Sequence, residues 1–426
     1  MQPLPRVSPP TESLSLAQIR YTADPMAPGE GRNAEGGEKK EEKPPRLFHY
    51  SFRLGGRFVY SDNITFAPEP DAIEDFYVSL EPGVSVGLGD VPERKGNYIR
   101  FDYSPNAVLY FDNSELDTIN HFIHLEAVVH FGKLTLSLFQ DVNLFEGMEG
   151  NFDRLNNNFG GGRGNNRDFD PRRGNRDVTG RNEIETYNTS AIARYDFTDK
   201  LSATGAFRYN YTEFIDIFST EFYGGDLFVD YKVTPELTFA VGGAGGVVYV
   251  DDPTIDEEFQ EVRGRFNHDV AKRININGSL GVEFRQFGRF GSLGYTAPIV
   301  EANVSVEPIE GTRITIGGRH RTLVSNALAG QSFTITGVNV GFRQKITDRI
   351  DFNVNSGYEQ ATYFSVFAEI EAMRRDEFFF IEPSLDVKIT DKWTAGAFYI
   401  HRENQTNLLP FGFAENQTGL RTGITF

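Results

Sequence analysis

Apolar and polar residues alternate with a period of two through most of the chain. In the stretch FYVSLEPGVSVGL, every second residue from Phe76 to Leu88 is apolar or proline, and the residues between are mostly polar or glycine. The same alternation occurs in 274–285, 300–307 and 379–389. Because successive side chains on a strand point to opposite faces, each segment is predicted to be a β-strand with one apolar and one polar face. Runs of about 11 to 14 residues exceed the usual globular strand and suffice for a tilted strand to cross a bilayer.

The alternation predicts about eighteen strands, and no helical period competes with it. An even number is what a single-chain barrel with both ends on one side requires. The segment 258–270 shows the weakest pattern, and sixteen strands is the alternative count. The predicted strands are 48–61, 75–88, 97–111, 119–132, 134–145, 184–196, 200–212, 220–233, 237–250, 258–270, 274–288, 297–307, 312–324, 332–346, 349–363, 375–389, 393–403 and 416–426.

Short and long connections alternate along this series. Four short turns place Thr followed by Asp or Pro between apolar residues, and they begin at Phe197, Val233, Ile346 and Ile389. Long polar segments occupy 61–74, 146–183 and 251–257. Such segregation is typical of bacterial outer-membrane barrels. The predicted fold is therefore all-β, a transmembrane up-and-down antiparallel barrel with short periplasmic turns and long extracellular loops.

Composition narrows the class of protein. The chain has 60 acidic and 42 basic residues, a formal net charge of −18, and no cysteine. The longest apolar or glycine stretch, Val241 to Val250, is far shorter than the ~20 residues of a transmembrane helix, which excludes a helical membrane protein. The acidic balance opposes a nucleic-acid partner. The absence of cysteine excludes disulfides, a thiol nucleophile and a thiolate metal site.

The first 46 residues are rich in Pro, Gly, Glu and Lys and bury too little apolar surface to fold alone. We expect a disordered periplasmic tail over 1–46 and a barrel over 47–426. No secretory signal is visible at the start of the given sequence. The tail is either a solvated leader or an arm that binds a periplasmic export partner.

Aromatic residues near the predicted strand ends suggest the girdles that barrels place at the membrane interface. The last strand carries Leu420, Thr422, Ile424 and Phe426 on one face, similar to the signal read by the outer-membrane barrel assembly machinery, although Arg421 stands where such signals often have Gly. The expected girdle residues are Phe58, Tyr60, Tyr110, Phe111, Tyr195, Phe197, Tyr209, Tyr211, Tyr249, Tyr363 and Trp393.

The opening segments, YSDNI at Tyr60 and FYVSLEPGVSV at Phe76, together with the Thr-Asp turns and the final strand, resemble the outer-membrane β-barrel family sometimes called beta-barrel porin 2. The resemblance covers about residues 48 to 426, through short motifs. It implies an outer-membrane protein of the kind often linked to exopolysaccharide export, in contact with outer-membrane lipid and lipopolysaccharide. It implies no catalytic residues, and the loop at 146–183 matches no pattern of the family.

The polar faces of the strands carry more basic than acidic residues. A basic lumen would favour anions, including acidic sugar polymers; alternatively, the charges pair across strands and form a polar wall. Arg313, Arg319 and Arg321, facing Arg343 and Lys345, are the best candidates for unpaired positive charge. The predicted pore-lining residues are Arg53, Arg57, Arg100, Arg208, Arg285, Arg313, Arg319, Arg321, Arg343 and Lys345.

Candidate chemistry is sparse. His124 and His130 share a strand face with Glu126, but the strand rise separates such residues too far for a metal site. The glycine-rich segment at 160–166 lacks the Lys-Ser/Thr of a phosphate-binding loop, and no Gly-x-Ser-x-Gly motif occurs. We therefore predict no enzyme activity, metal or cofactor.

Three functions remain as hypotheses. The first is a passive conduit across the outer membrane for polysaccharide or another polar anionic solute. The second is a non-conducting structural barrel that docks a periplasmic partner. The third is an outer-membrane enzyme of lipase type, which requires a Ser and a His within hydrogen-bond reach of each other.

Overall fold

A computed structural model of the chain describes residues 47–91, 96–146, 177, 180–215, 217–271, 273–288, 293–366 and 374–426. The predicted tail over 1–46 lies outside these residues, as does most of the predicted loop over 146–183. No helix within the described ranges is long and apolar enough to cross a membrane.

The described chain forms eighteen β-strands. The prediction of eighteen is confirmed: the segment with the weakest alternation is β10, which pairs along its length with both β9 and β11. The strands are β1 Phe48–Ser61, β2 Asp75–Gly89, β3 Tyr98–Tyr110, β4 Thr118–Phe131, β5 Leu134–Glu146, β6 Glu183–Asp196, β7 Leu201–Phe214, β8 Thr220–Lys232, β9 Leu237–Val250, β10 Glu257–Ala271, β11 Ile274–Phe287, β12 Leu293–Val306, β13 Thr312–Val324, β14 Gln331–Thr347, β15 Ile350–Ser365, β16 Arg375–Lys388, β17 Trp393–Thr406 and β18 Phe413–Thr425.

The sheet closes on itself. Every strand pairs antiparallel with its neighbours in sequence, and β1 also pairs with β18, from Arg53 opposite Thr425 to Ser61 opposite Gln417. The fold is thus an antiparallel up-and-down barrel with no open strand edge, and the predicted fold class is confirmed.

Several strands extend beyond their predicted ends. For example, β17 continues to Thr406 instead of 403, and β18 begins at Phe413 instead of 416. Thr406 is still paired with Asp376 on β16. The backbone ladder needs no apolar side chains, so pairing continues where the alternation of apolar residues has ended.

The connections segregate as predicted. One end of the barrel carries tight turns such as 132–133, 197–200 and 348–349; the opposite end carries the long connections 62–74 and 147–182. We refer to these as the turn end and the loop end. Because β1 starts and β18 finishes at the turn end, both ends of the barrel segment lie on the same side.

The two faces of the sheet are inverted relative to a soluble protein. Large apolar side chains point outward into solvent: Leu227, Val241 and Leu280 are each more than 60% exposed. Charged residues point inward, and Arg100 and Arg402 are among the most buried large side chains of the described residues. Soluble proteins rarely bury so many charged groups or expose so wide an apolar surface. A soluble sandwich with an apolar core is therefore excluded.

Most of the expected girdle residues lie on the outer face, including Phe58, Phe197 and Trp393, which are exposed. The prediction is wrong for Tyr110 and Tyr363, which are buried on the inner face. Both precede a loop-end connection. The alternation continues to the strand end, and their positions in it fall on the inner face.

Candidate functional site

All ten predicted lining residues occupy positions of their strands that alternate with outward-facing apolar residues. Arg53, for instance, lies between Phe52 and Leu54, which are both exposed, and its guanidinium donates a hydrogen bond to Ser104 on β3. That these residues line an open pore stays a prediction.

Most of the inner-face arginines are paired with carboxylates. The Nε atom of Arg100 lies 2.8 Å from Oδ2 of Asp102, and Nε of Arg285 lies 2.8 Å from Oε1 of Glu283. Both pairs are buried. Further buried pairs join Arg57 to Glu81, Arg208 to Asp226, Arg263 to Glu261, Arg285 to Glu257 and Arg402 to Glu415. The contacts favour the alternative in which charges pair across the wall.

The expected cluster of positive charge on β13 and β14 is wrong in its geometry. Arg313 does lie opposite Arg343 in the strand register. Arg319 and Arg321, however, lie opposite Gly337 and Ile335, well toward the loop end. The face of each residue follows from alternation. The register follows from the predicted strand ends, 324 and 332, which do lie opposite each other, and this register separates Arg319 and Arg321 from Arg343 and Lys345.

All five of these residues also have ion-pair partners. Their carboxylate partners come from turns or from strands up to two positions away, which sequence alternation does not identify. The pairs are Arg313 with Glu307, Arg319 with Glu359, Arg321 with Glu301, Arg343 with Asp351 and Lys345 with Asp348.

One of these pairs spans an intervening strand. Arg319 on β13 reaches Glu359 on β15 across Gly337 on β14. A Cβ atom at Gly337 would lie 2.7 Å from Cγ of Glu359. Gly337 therefore leaves the space in which the Glu359 side chain lies.

At the loop end, Asp177 from the β5–β6 connection is buried in the β13–β14 connection. Its carboxylate accepts hydrogen bonds from Ser325 Oγ, at 2.9 and 3.1 Å, and from the backbone N–H groups of Asn326 and Ala327, at 2.5 and 2.9 Å. An aspartate that accepts several such bonds is firmly held.

The same carboxylate is bound by β15 and by the residue before β16. Tyr363 donates its hydroxyl to Asp177 at 2.8 Å, and Nη1 of Arg374 lies 3.2 Å from it, with Asp376 as a second partner of the arginine. Burial alone would lower the pKa of Arg374, but Tyr363, Asp376 and Asp177 together raise it. We call Asp177 with its partners Ser325–Ala327, Tyr363 and Arg374 the Asp177 latch.

The latch joins distant parts of the barrel wall. Four residues after Asp177, Arg181 donates to the Leu116 carbonyl at 2.7 Å and pairs with Glu146 on β5 at 3.0 Å. Four residues span at most about 14 Å. The wall at β3–β5 and the wall at β13–β16 are thus tied together over a short distance at the loop end.

The β13–β14 connection makes a second bridge. Asn326 exchanges hydrogen bonds with the backbone of Phe218 in the β7–β8 connection, at 2.7 and 3.2 Å. Ala327 packs on an inner apolar cluster, and Gly330 donates to Thr254 before β10. The cluster comprises Phe122, Phe145, Ile184 and Phe214. These contacts place the connection over the mouth of the lumen.

Nothing in the sequence marks the latch. Asp177 is one of several aspartates in a long polar segment, and its partners are separated from it by 148 to 197 positions. The length of the 146–183 loop was the one available signal, and it does not indicate which residues the loop contacts.

The candidate metal and enzyme sites gain no support. Within the described ranges, no group of three or more His, Asp and Glu could hold a metal ion. His121 contacts Tyr103 and His124 contacts Asp141, on opposite faces of β4, while His130 contacts Thr135. His320 and His401 contact Thr336 and Asn416. The absence of enzyme activity stays a prediction.

No protein-family model matches the sequence, and a search of curated proteins finds no match. Its structural neighbours include outer-membrane barrels. The outer membrane protein OpdK from Pseudomonas aeruginosa is similar at 10% identity and a TM-score of 0.47, over 89% of this chain and 99% of that one. OccAB3 from Acinetobacter baumannii is similar at 10% identity and 0.46, over 88% and 99%. The FrpB iron transporter from Neisseria meningitidis is similar at 11% identity and 0.46, over 85% and 62%. These values are too low to carry an argument about function, which rests on the geometry above.

Proposed function

We propose that the protein is a channel in the outer membrane of a Gram-negative bacterium. The observation that supports this most strongly is the inversion of the faces: an apolar surface turned outward around a polar, charged interior. In lipid every backbone polar group must be satisfied within the protein, and a closed barrel does so. Eighteen strands enclose enough space for an aqueous passage.

For the solute, we propose a polar, hydroxyl-rich molecule such as a polysaccharide. The polar inner wall favours such a solute over an apolar one. The ion pairs of Arg313, Arg319 and Arg343 remove the specific reason to expect a preference for anions, so we propose weak charge selectivity. The loop-end contacts support a narrowed entrance.

Conductance across a planar lipid bilayer tests this function. We expect the purified full chain to insert and to give small, steady conductance steps with weak selectivity between potassium and chloride. Wild type and the Asp177→Ala variant would be measured side by side, since the variant lacks the central residue of the latch. Insertion without conductance in both proteins would contradict the channel and favour the docking barrel.

A further inference from the structure

Amide and hydroxyl side chains form two adjoining rows on the inner wall, in the half nearer the turn end. The members of each row lie directly opposite one another on successive strands. We call the two rows together the amide band. The first row is Asn267, Asn277, Asn303, Gly317 and Asn339, and the second is Asn275, Ser305, Thr315, Gly341 and Asn355.

The amides of β10 to β12 form a directed chain of hydrogen bonds. Asn303 donates to Asn277 at 3.4 Å, Asn277 to Asn275 at 3.0 Å, and Asn275 to Asn267 at 3.1 Å. Each donor is an Nδ2 group and each acceptor an Oδ1 atom. This series of hydrogen bonds holds the asparagine side chains in fixed orientations along the wall.

Gly317 separates the two parts of the first row. A Cβ atom at Gly317 would lie 2.2 Å from Oδ1 of Asn339 and 2.8 Å from Oδ1 of Asn303. The two amide oxygens from β12 and β14 therefore converge over the backbone of β13, in space that any other residue would fill.

The band lies between charged rows. On its loop side the neighbouring row contains Glu301, Arg319 and Glu359; on its turn side lie Arg313 and Arg343. All five are ion-paired. The asparagines of the band are half-buried or exposed, whereas Glu359 is buried. The band is thus more accessible than the buried carboxylate of Glu359 on its loop side.

We propose that the amide band binds a chain of uncharged, hydroxyl-bearing units, such as a segment of neutral oligosaccharide. This inference rests on the proposed channel and names the site at which its solute is held. A carboxamide donates and accepts hydrogen bonds without charge, as a sugar hydroxyl does. Adjacent strands lie about 4.8 Å apart, so the row presents amides at regular intervals to an extended chain.

Other solute classes fit the band less well. The side chains of the band carry no charge, and the charged rows on its loop and turn sides are engaged in their own pairs. At the edge of the second row, the exposed carboxylate of Asp269 lies opposite Asn275 and accepts its hydrogen bond at 2.7 Å, so an acidic solute is repelled there. An apolar solute would cover the amides without offering hydrogen bonds, which leaves buried polar groups unsatisfied.

The test is isothermal titration calorimetry of the purified full chain in detergent. Two ligands of equal length are compared: maltohexaose, which is uncharged, and an oligogalacturonate, which is acidic. Calorimetry reports binding whether or not the barrel conducts. The test variant combines Asn303→Ala with Asn339→Ala. The matched control combines Asn188→Ala with Asn210→Ala, an amide pair on the inner wall at β6 and β7.

We expect wild type and the control to bind maltohexaose, the Asn303→Ala/Asn339→Ala variant to bind it at least tenfold more weakly, and the acidic oligomer to bind more weakly than maltohexaose. Gly317→Ala, which removes no amide but displaces the oxygens of Asn303 and Asn339 from the gap, should weaken binding as well. If the Asn303→Ala/Asn339→Ala variant fails to fold, Asn339→Ser alone, at the edge of the band, replaces it and should bind more weakly than wild type.

Equal binding by folded band variants and wild type would overturn the proposal, as would tighter binding of the acidic oligomer or no binding by wild type. If wild type binds maltohexaose, the band variants do not, and none of the proteins conducts, the result would support the band and contradict the channel. If the protein conducts but wild type does not bind maltohexaose, the result would support the channel and contradict the band.

Discussion

From β10 to β18, the loop half and the turn half of the barrel interior are built differently, whereas on β3 a buried pair, Arg100–Asp102, lies in the turn half. The loop half contains buried ion pairs such as Arg402–Glu415, inner apolar clusters and the Asp177 latch, all of which tie parts of the wall together. On these strands the turn half has half-buried ion pairs such as Arg343–Asp351 and the neutral amide band. The same alternation of faces thus produces two arrangements. In the loop half, side chains tie separate parts of the wall together, and in the turn half they form accessible polar groups.

The largest expected effect is the loss of a buried pair in the loop half. Arg402→Met leaves the buried Glu415 carboxylate without its arginine, and breaking a buried pair costs about 3–5 kcal/mol. Arg343→Met, in the turn half, should cost less than about 1 kcal/mol, because its pair with Asp351 is about one-third exposed. Equilibrium denaturant unfolding in detergent measures both. Equal losses in the two variants would show that the halves do not differ in this respect.

The latch is the next largest test. Asp177→Ala leaves Ser325, Tyr363 and Arg374 without a shared acceptor, although Arg374 keeps Asp376, so we expect a loss of about 1–3 kcal/mol. Single-channel conductance should rise at least twofold, because the tie across the mouth is released.

Glu377→Ala is the matched control for the latch, since Glu377 and its partner Arg375 lie on the exposed outer face of β16 at its loop end. That variant should leave conductance unchanged. A conducting Asp177→Ala channel with wild-type steps would mean that the latch does not narrow the passage.

The barrel could be predicted from the sequence, whereas the latch could not. The barrel and its faces could be predicted because every strand repeats the same alternation, so a weak pattern in one strand, such as β10, leaves the rest of the prediction intact. The Asp177 latch could not be predicted, because one residue in a long connection meets partners far away in sequence. The pairing of Arg319 with Glu359 was not predicted either, because it requires a side chain to reach past Gly337 on β14 to the second strand away, which alternation does not indicate.

A smaller effect is expected where glycine makes room for a pair that spans a strand. In Gly337→Ala, the added Cβ atom would lie 2.7 Å from Cγ of Glu359, so the carboxylate must move away from Arg319. We expect the free energy of unfolding to fall by about 1–3 kcal/mol, and by the lower value if Glu359 adopts another rotamer. At Gly318 the nearest atom to an added Cβ is 3.7 Å away, so Gly318→Ala should be nearly neutral. Denaturant unfolding of the two variants compares them directly, and equal costs would argue against the reach of Arg319 across β14.

The smallest effect lies in the turn that follows β14. A hydrogen bond from Lys345 lowers the pKa of Asp348 below its usual value. A lowered carboxyl pKa stabilises the fold above the ordinary carboxyl pKa, and that contribution is lost as the pH falls through the lowered value. The difference in unfolding midpoint between wild type and Lys345→Met should therefore be present at neutral pH and vanish on acidification. It should also shrink in high salt, because both groups are exposed. A difference that persists under acid would assign Lys345 a role other than its pair with Asp348.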